Sequence, residues 1–336
     1  MRQLTSCTCE LRTSPRYSKL ELMTSLNQAY SRLHMRRRYE AWFLRLGLAD
    51  GSGAWWFRYL LTNLGRHGCP DASLAAPAQL WATWFPREGQ PETSIQEFSL
   101  RDLHIAALSE PFTLKIGSSC IVEDRCNGAI EARGQPISWN LRYRSHFAIT
   151  LSNKGWIGFS RTPHSDGVFS GEIRFGDRVF AGDPLGFGVQ GHNCGYRHRN
   201  FWTWMHACFP QVDGSISTLE SLVYEMPLGL RFRNAVLWHR GRAYLFGKLR
   251  ESRRDRTSLR WAFSASSLAG SLDVDGDGGG MSLHRLPYAK TDCSGTFEVS
   301  NNSRARAVVR FRESKNQSVS ELTTDAGAVL EMAGEY

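Results

Sequence analysis

The sequence predicts an all-β protein built as two barrel-like halves, and three observations carry that expectation. Short apolar or alternating runs recur about every 8–15 residues, separated by Gly, Pro and Asx turn signals. After residue 38 few stretches show the 3.6-residue helical period. The runs number roughly fifteen, more than one small barrel holds. The 336 residues, 41% hydrophobic and 22% charged, are enough for two domains or one large one.

Residues 1–38 form a tail rich in Ser, Thr and Arg, expected to be irregular with one short helix over 17–34. The tail lacks an apolar core of about 7–15 residues, so it does not read as a secretory signal. The first strand follows at Tyr39–Leu48, aromatic and alternating. It ends at Asp50-Gly51-Ser52-Gly53, beyond which Ala54–Thr62 returns as the second arm of a hairpin. Leu80–Phe85 is stopped by Pro86, and Cys120–Glu123 and Gly128–Ala132 are short strands. Ile137, Trp139, Leu141 and Tyr143 alternate with Ser138, Asn140 and Arg142, the period of a half-buried strand. Val168–Phe175 and Arg178–Ala181 form a hairpin across Gly176-Asp177. The rhythm resumes at Ser217–Met226, in the hairpin Ala235–His239 with Arg242–Phe246, and in Leu259–Phe263, Gly295–Val299 and Ala305–Phe311. The best seam is Pro210–Gly214, giving domains 39–209 and 210–336.

No apolar run reaches the roughly 18 residues that span a bilayer. The formal charge of +9 comes from arginine, clustered at Arg36–Arg38 and Arg250–Arg256. Such a surface can attract nucleic acid or an anionic membrane. Neither cluster sits in a nucleic-acid motif, so both read as solvated turns. The expectation is no nucleic-acid partner, with peripheral membrane contact left open. The eight cysteines include no Cys-x-x-Cys pair, which argues against a zinc ribbon. Without a secretory signal the thiols are expected to stay reduced, in a cytoplasmic protein without disulfides.

Asp273–Gly278 resembles the start of a calcium loop, but His284 stands where position twelve needs a bidentate Glu, so it reads as a flexible acidic turn. Gly182–Gly191 lacks a following Gly-Lys-Ser/Thr and reads as a loop across a barrel mouth. Gln190–Cys208 holds His192, His198, His206, Cys194 and Cys208. Its histidines are spaced six and eight apart, so no local metal site is expected. Trp202, Trp204 and His206 share one strand face, and a packed aromatic face rivals any catalytic role there. No nucleophile elbow or protease-like Cys appears, and no cofactor fingerprint.

Tyr39-Glu40-Ala41-Trp42-Phe43 resembles the Tyr-Glu-Trp-Trp-Tyr signature that opens the carotenoid 1,2-hydratase family. Tocopherol cyclases carry a related Tyr-Glu-Gly-Trp-Tyr/Phe version. Gly191-His192-Asn193-Cys194-Gly195, followed by Trp202-Thr203-Trp204, is similar to the His-Gln/Asn-Trp-Gly motif and tryptophan strand of that superfamily. Ala41 and Cys194 depart from the pattern, each standing where Trp is usual. The resemblance spans residues 39–336. It implies two lipocalin-like antiparallel β-barrels packed side by side, binding long apolar isoprenoid or polyketide molecules. Some members protonate an alkene and let water or a phenol capture the cation. Others cyclise a substrate by folding it.

A barrel, or a cleft between barrels, can hold one apolar ligand among aromatics and a few polar groups. Cation chemistry there needs a carboxyl kept protonated by burial, and π faces for the developing charge. Glu40, beside Trp42, is the first candidate acid; His192 and Glu220 come next, and Asp183 fourth. The rival for Glu40 is a structural ion pair with Arg58. Tyr39, Trp42, Trp56, Asn193, Trp202, Trp204 and His206 are the candidate substrate contacts. The expected function is a cofactor-independent isomerase, cyclase or hydratase acting on a hydrophobic intermediate. The alternative is a non-catalytic carrier for a hydrophobic ligand.

Overall fold

The computed structural model describes residues 10–13, 25–32, 35, 37–64, 76–131, 135–153, 158–198, 200–226, 229–280, 282–315 and 317–334. Apart from a 3-10 turn at Leu100–Asp102, the regular elements among them are all strands. The first sheet holds β1 (Glu10–Thr13), β2 (Tyr39–Leu48), β3 (Gly53–Thr62), β4 (Ala78–Pro86), β5 (Glu92–Phe98), β6 (Leu103–Ile105), β7 (Thr113–Ile116), β8 (Ser119–Val122), β9 (Arg125–Ile130), β10 (Ile137–Arg144), β11 (Phe147–Asn153), β12 (Gly158–Phe175) and β13 (Arg178–Gly195). The second holds β14 (Trp202–Pro210), β15 (Ile216–Glu225), β16 (Arg231–His239), β17 (Arg242–Phe246), β18 (Lys248–Asp255), β19 (Arg260–Ser267), β20 (Gly270–Asp277), β21 (His284–Ala289), β22 (Thr296–Glu313) and β23 (Val319–Ala333).

The first sheet runs β5-β4-β3-β2-β13-β12-β10-β9-β8-β7-β6, and the second β17-β16-β15-β14-β23-β22-β20-β19-β18. Each curls on itself: β4 and β5 approach β9, and β16 and β17 approach β18 and β19. The protein is all-β, two lipocalin-like barrels packed side by side.

Strand parity decides what each side chain meets. In β2, Trp42, Leu44, Leu46 and Leu48 enter the first barrel's core, as do Trp55, Phe57, Tyr59 and Leu61 of β3. In β14 and β15, Met205, Ala207, Phe209, Leu219 and Val223 fill the second. The opposite faces meet each other: Phe43, Trp56, Val189, Trp204, Leu222, Val236 and Val329 form a third cluster between the barrels. The strands at this seam are therefore buried on both faces.

Several expectations are corrected. The chain changes sheets between Gly195 and Trp202, and Pro210–Gly214 is a hairpin turn joining β14 to β15 inside the second sheet. Its Asp and Gly serve a tight turn, which looks like a linker in sequence. The glycine-rich stretch 182–191 is not a loop but part of β13, paired to β2. Its glycines allow close approach: a Cβ on Gly188 would lie 1.7 Å from the Arg45 carbonyl oxygen, and one on Gly191 2.1 Å from the Phe43 ring. Asp273–Asp277 lies in β20, where Asp277 pairs with Arg260 at 3.0 Å. Arg250–Asp255 is edge strand β18 rather than a turn. Arg254 donates to the Thr203 hydroxyl at 2.8 Å and to the carbonyls of Ala333 and Gly334, both at 3.0 Å. The helix expected over 17–34 falls partly outside the described residues, and its described part, 25–32, is turn and irregular chain.

Cys120, Cys126, Cys194 and Cys208 are free, but Cys293 is disulfide-bonded. Disulfides persist in oxidising compartments, so this bond weighs against the reduced setting expected from the sequence. Among the described residues no helix is long and apolar enough to cross a membrane.

Candidate functional site

A cavity opens at the seam between the barrels. β2 and β3 supply Tyr39, Ala41, Phe43, Trp56 and Arg58; β13 supplies Asn193, Cys194 and Gly195. The second barrel answers with Trp202, Trp204, Leu222, Tyr224, Tyr288 and Glu331.

The cavity has an apolar part and a polar part. Phe43 meets the edge of Trp204 with ring centroids 5.3 Å apart, beside Trp56 and Leu222. The polar part centres on Arg58, whose guanidinium lies 4.3 Å from the Tyr288 ring centroid and 5.5 Å from that of Trp81. His198 stacks on Tyr39 at 3.8 Å and lies 5.6 Å from Tyr288. Burial, and then the Arg58 charge, hold His198 well below the usual imidazole range, so it is neutral. Glu331 accepts from the Trp202 indole at 3.0 Å, the Asn301 amide at 3.1 Å and the Tyr288 hydroxyl at 3.3 Å. Burial pushes its carboxyl up, against the pull of those donors and of Arg58. It is thus a half-buried carboxyl with a raised pKa, on the cavity wall.

Of the candidate substrate contacts, Tyr39, Trp56, Asn193, Trp202 and Trp204 line this cavity. The leading acid candidates do not. Glu40 and His192 are wholly buried on the other face of their strands, inside the first barrel. Glu40 accepts from the Tyr30 and Ser31 amides at 2.7 and 2.5 Å, and His192 Nε2 lies 2.7 Å from its Oε1. His192 Nδ1 donates to the Leu26 carbonyl at 2.7 Å. Burial would raise the Glu40 carboxyl, but His192 and the two amides outweigh it and hold it low. Glu40 is paired with His192, not with Arg58. Trp42 stacks on His192 at 4.5 Å and donates to the Asn27 carbonyl, so it too lies away from the cavity. These residues bind segment 25–31 to the barrel. Asp183 sits on the distal part of β13, where the structure gives it no place in the cavity.

Glu220 and His206 face the seam behind Trp204. Glu220 Oε1 accepts from the Trp204 indole at 3.0 Å and from Thr162 of the first barrel at 2.8 Å, while Oε2 has no partner among the described residues. Burial pushes its carboxyl up to about 7. His206 donates to the Ser165 carbonyl at 2.8 Å and is held at about 3 by burial and by Arg45. No group of three or more His, Cys, Asp or Glu among the described residues is placed to hold a metal ion. His192, His198 and His206 point into three different environments.

Glu220 makes stability depend on pH. Its folded value lies above its unfolded one of 4.5, so the folded state holds the extra proton. The cost of ionising it is absent below about 4.5, grows as pH rises toward about 7 and is then constant, at about 3 kcal/mol. Glu220→Gln keeps an acceptor for Thr162 and Trp204 without the charge. The variant is expected to match the wild type in urea melts near pH 4.5 and to exceed it by up to about 3 kcal/mol at pH 8. A difference that does not change with pH would show that the carboxyl ionises normally.

Arg58, His198, Tyr288 and Glu331 were not proposed as site residues from the sequence. Glu331 had a signal, a lone carboxylate in the apolar run Ala328–Ala333. In the sequence His198 reads only as a candidate metal ligand, and Tyr288 carries no signal.

No protein-family model matches this chain, and no curated protein matches it significantly in sequence. Solved structures do match in fold. A crystal structure of CghA with Sch210972 aligns over 97% of this chain and 99% of its own, with a TM-score of 0.53 and 9% identity. Kievitone hydratase from Nectria haematococca aligns over 93% and 92%, with a TM-score of 0.49 and 9% identity. An AttH-type protein from Nitrosomonas europaea aligns over 89% and 93%, with a TM-score of 0.47 and 14% identity. At these identities the likeness to CghA shows the two-barrel fold.

Proposed function

We propose that the chain is a cofactor-independent enzyme of the hydratase, cyclase or isomerase type, acting on a hydrophobic intermediate in the cavity between its barrels. The observation that carries this reading is Glu331: a half-buried carboxyl with a raised pKa, facing a cavity lined by Trp56, Trp202, Trp204 and Tyr288. Its proton goes to an alkene carbon of the bound molecule. The aromatic faces stabilise the carbocation that forms. Water or a hydroxyl of the same molecule adds to it, and the carboxylate takes back the proton this nucleophile releases. The sequence resemblance to carotenoid 1,2-hydratases and tocopherol cyclases supports the same chemistry.

Native mass spectrometry of the purified protein, followed by extraction, identifies a bound molecule to test for turnover. Glu331→Gln is then expected to lower turnover by about 10²–10⁴-fold while retaining the ligand. Turnover equal to wild type would remove Glu331 as the acid. A carrier role is the second reading, favoured by Glu331 already having protein partners on both oxygens. A ligand recovered unchanged after incubation with water and nucleophiles would support it.

A further inference from the structure

The cavity contains a cation that the hydrocarbon chemistry does not use. Arg58 is 5% exposed, yet it has no hydrogen-bond or ion-pair partner among the described residues. Its contacts are the faces of Tyr288 and Trp81, which leave the edge donors of the guanidinium unspent. Burying a charge without a counter-ion is costly, and such a group is ordinarily paired. Glu331 does not supply the pair: it lies beyond ion-pair distance, and its oxygens face Trp202, Asn301 and Tyr288. Arg58 belongs to the cavity wall, together with neutral His198 and with Asn193.

We infer that the molecule bound in this cavity is a monoanionic amphiphile, an apolar body carrying one carboxylate or equally acidic oxygen group that pairs with Arg58. This inference rests on the cavity being the ligand site and narrows the class of ligand. The body lies against Phe43, Trp56, Trp204 and Leu222, and the head against the planar fork of Arg58, which suits a carboxylate. Neutralising Arg58 also removes the positive charge that opposes both protonation of Glu331 and a carbocation nearby. The acidic head thus helps the chemistry proposed for the rest of the molecule.

Decanoate and 1-decanol provide the test, titrated against the full chain with tryptophan fluorescence as the signal. Partition into an apolar cavity alone ranks the alcohol first, so tighter binding of the anion requires a cation. The wild type is expected to bind decanoate about tenfold more tightly than 1-decanol. Arg58→Met is expected to lose that preference while still binding the alcohol, and Arg58→Lys to keep part of it. Arg197, exposed at the mouth, is the control, and Arg197→Met is expected to keep the preference. An alcohol bound as tightly as the anion by the wild type overturns the inference. So does a preference that survives Arg58→Met. If Arg58→Met does not fold, the wild-type ranking and the Arg197→Met result decide. Failure of both probes to bind removes the apolar ligand site itself, a different result from equal binding.

Discussion

Arg45→Met is expected to lower stability by about 3 kcal/mol or more, read as a shift of the urea midpoint at unchanged slope. Arg45 is a fully buried guanidinium on the seam face of β2. Its Nε and Nη2 donate to the Ser303 carbonyl at 2.9 and 2.5 Å, Nη1 to Gly327 at 2.9 Å, and Nη2 also to Ala326 and Ala328 at 2.7 and 3.2 Å. All these acceptors belong to the second barrel. The ladder between β22 and β23 shifts register between Asn302 and Ala305 and again before Ala307, which takes the carbonyls of Ser303, Ala326 and Gly327 out of regular pairing. A bulge frees backbone groups that need a partner when buried. One arginine of the first barrel provides it.

Removing the guanidinium leaves about three carbonyls buried and unpaired, at about 1–3 kcal/mol each. The desolvation of an uncompensated charge is relieved at the same time, which offsets part of the loss. That charge is disfavoured: burial, with the Arg304 charge adding and Cys208 opposing, brings its pKa down to about 10. Arg45→Lys keeps the charge but cannot reach all the carbonyls with one ammonium, so an intermediate loss is expected. A loss below about 1 kcal/mol for Arg45→Met would mean that the bulge carbonyls find water instead. Calorimetry of the variant is expected to separate the unfolding of the two barrels, because Arg45 bridges them.

The fold was readable because each hairpin turn and alternating run is a local signal. Ile137–Tyr143 has one face buried and one exposed, as its pattern implied. The site was harder to read for a physical reason. β2, β3, β14 and β15 are buried on both faces, so apolar residues fill both parities and alternation no longer tells inside from outside. Tyr39 and Glu40 are neighbours in one motif, yet one faces the cavity and the other the barrel core. Nothing within the strand decides which, because that depends on where the second barrel docks. Glu331 illustrates the other limit: it reaches the cavity through β23, far in sequence from the motifs that drew attention.

Glu40→Ala and His192→Ala are each expected to cost about 3–5 kcal/mol, the range for breaking a buried ionic pair. Each leaves its former partner buried without a counterpart. Loss of Glu40 also strands the Tyr30 and Ser31 amides, and loss of His192 strands the Leu26 carbonyl. The double variant is expected to cost clearly less than the sum of the two, since no lone charge then remains. A structural role and a catalytic one separate in the same samples. Under conditions where the single variants stay folded, probe binding in the seam cavity should match wild type, because neither residue reaches it. If turnover of an identified substrate instead collapses while folding and binding persist, Glu40 and His192 act in the reaction, and the division of labour between barrel core and seam fails. The physical expectation is the opposite. A carboxylate held low by His192 and two amide donors is a poorer proton source than Glu331, whose pKa burial raises and which lies on the cavity wall.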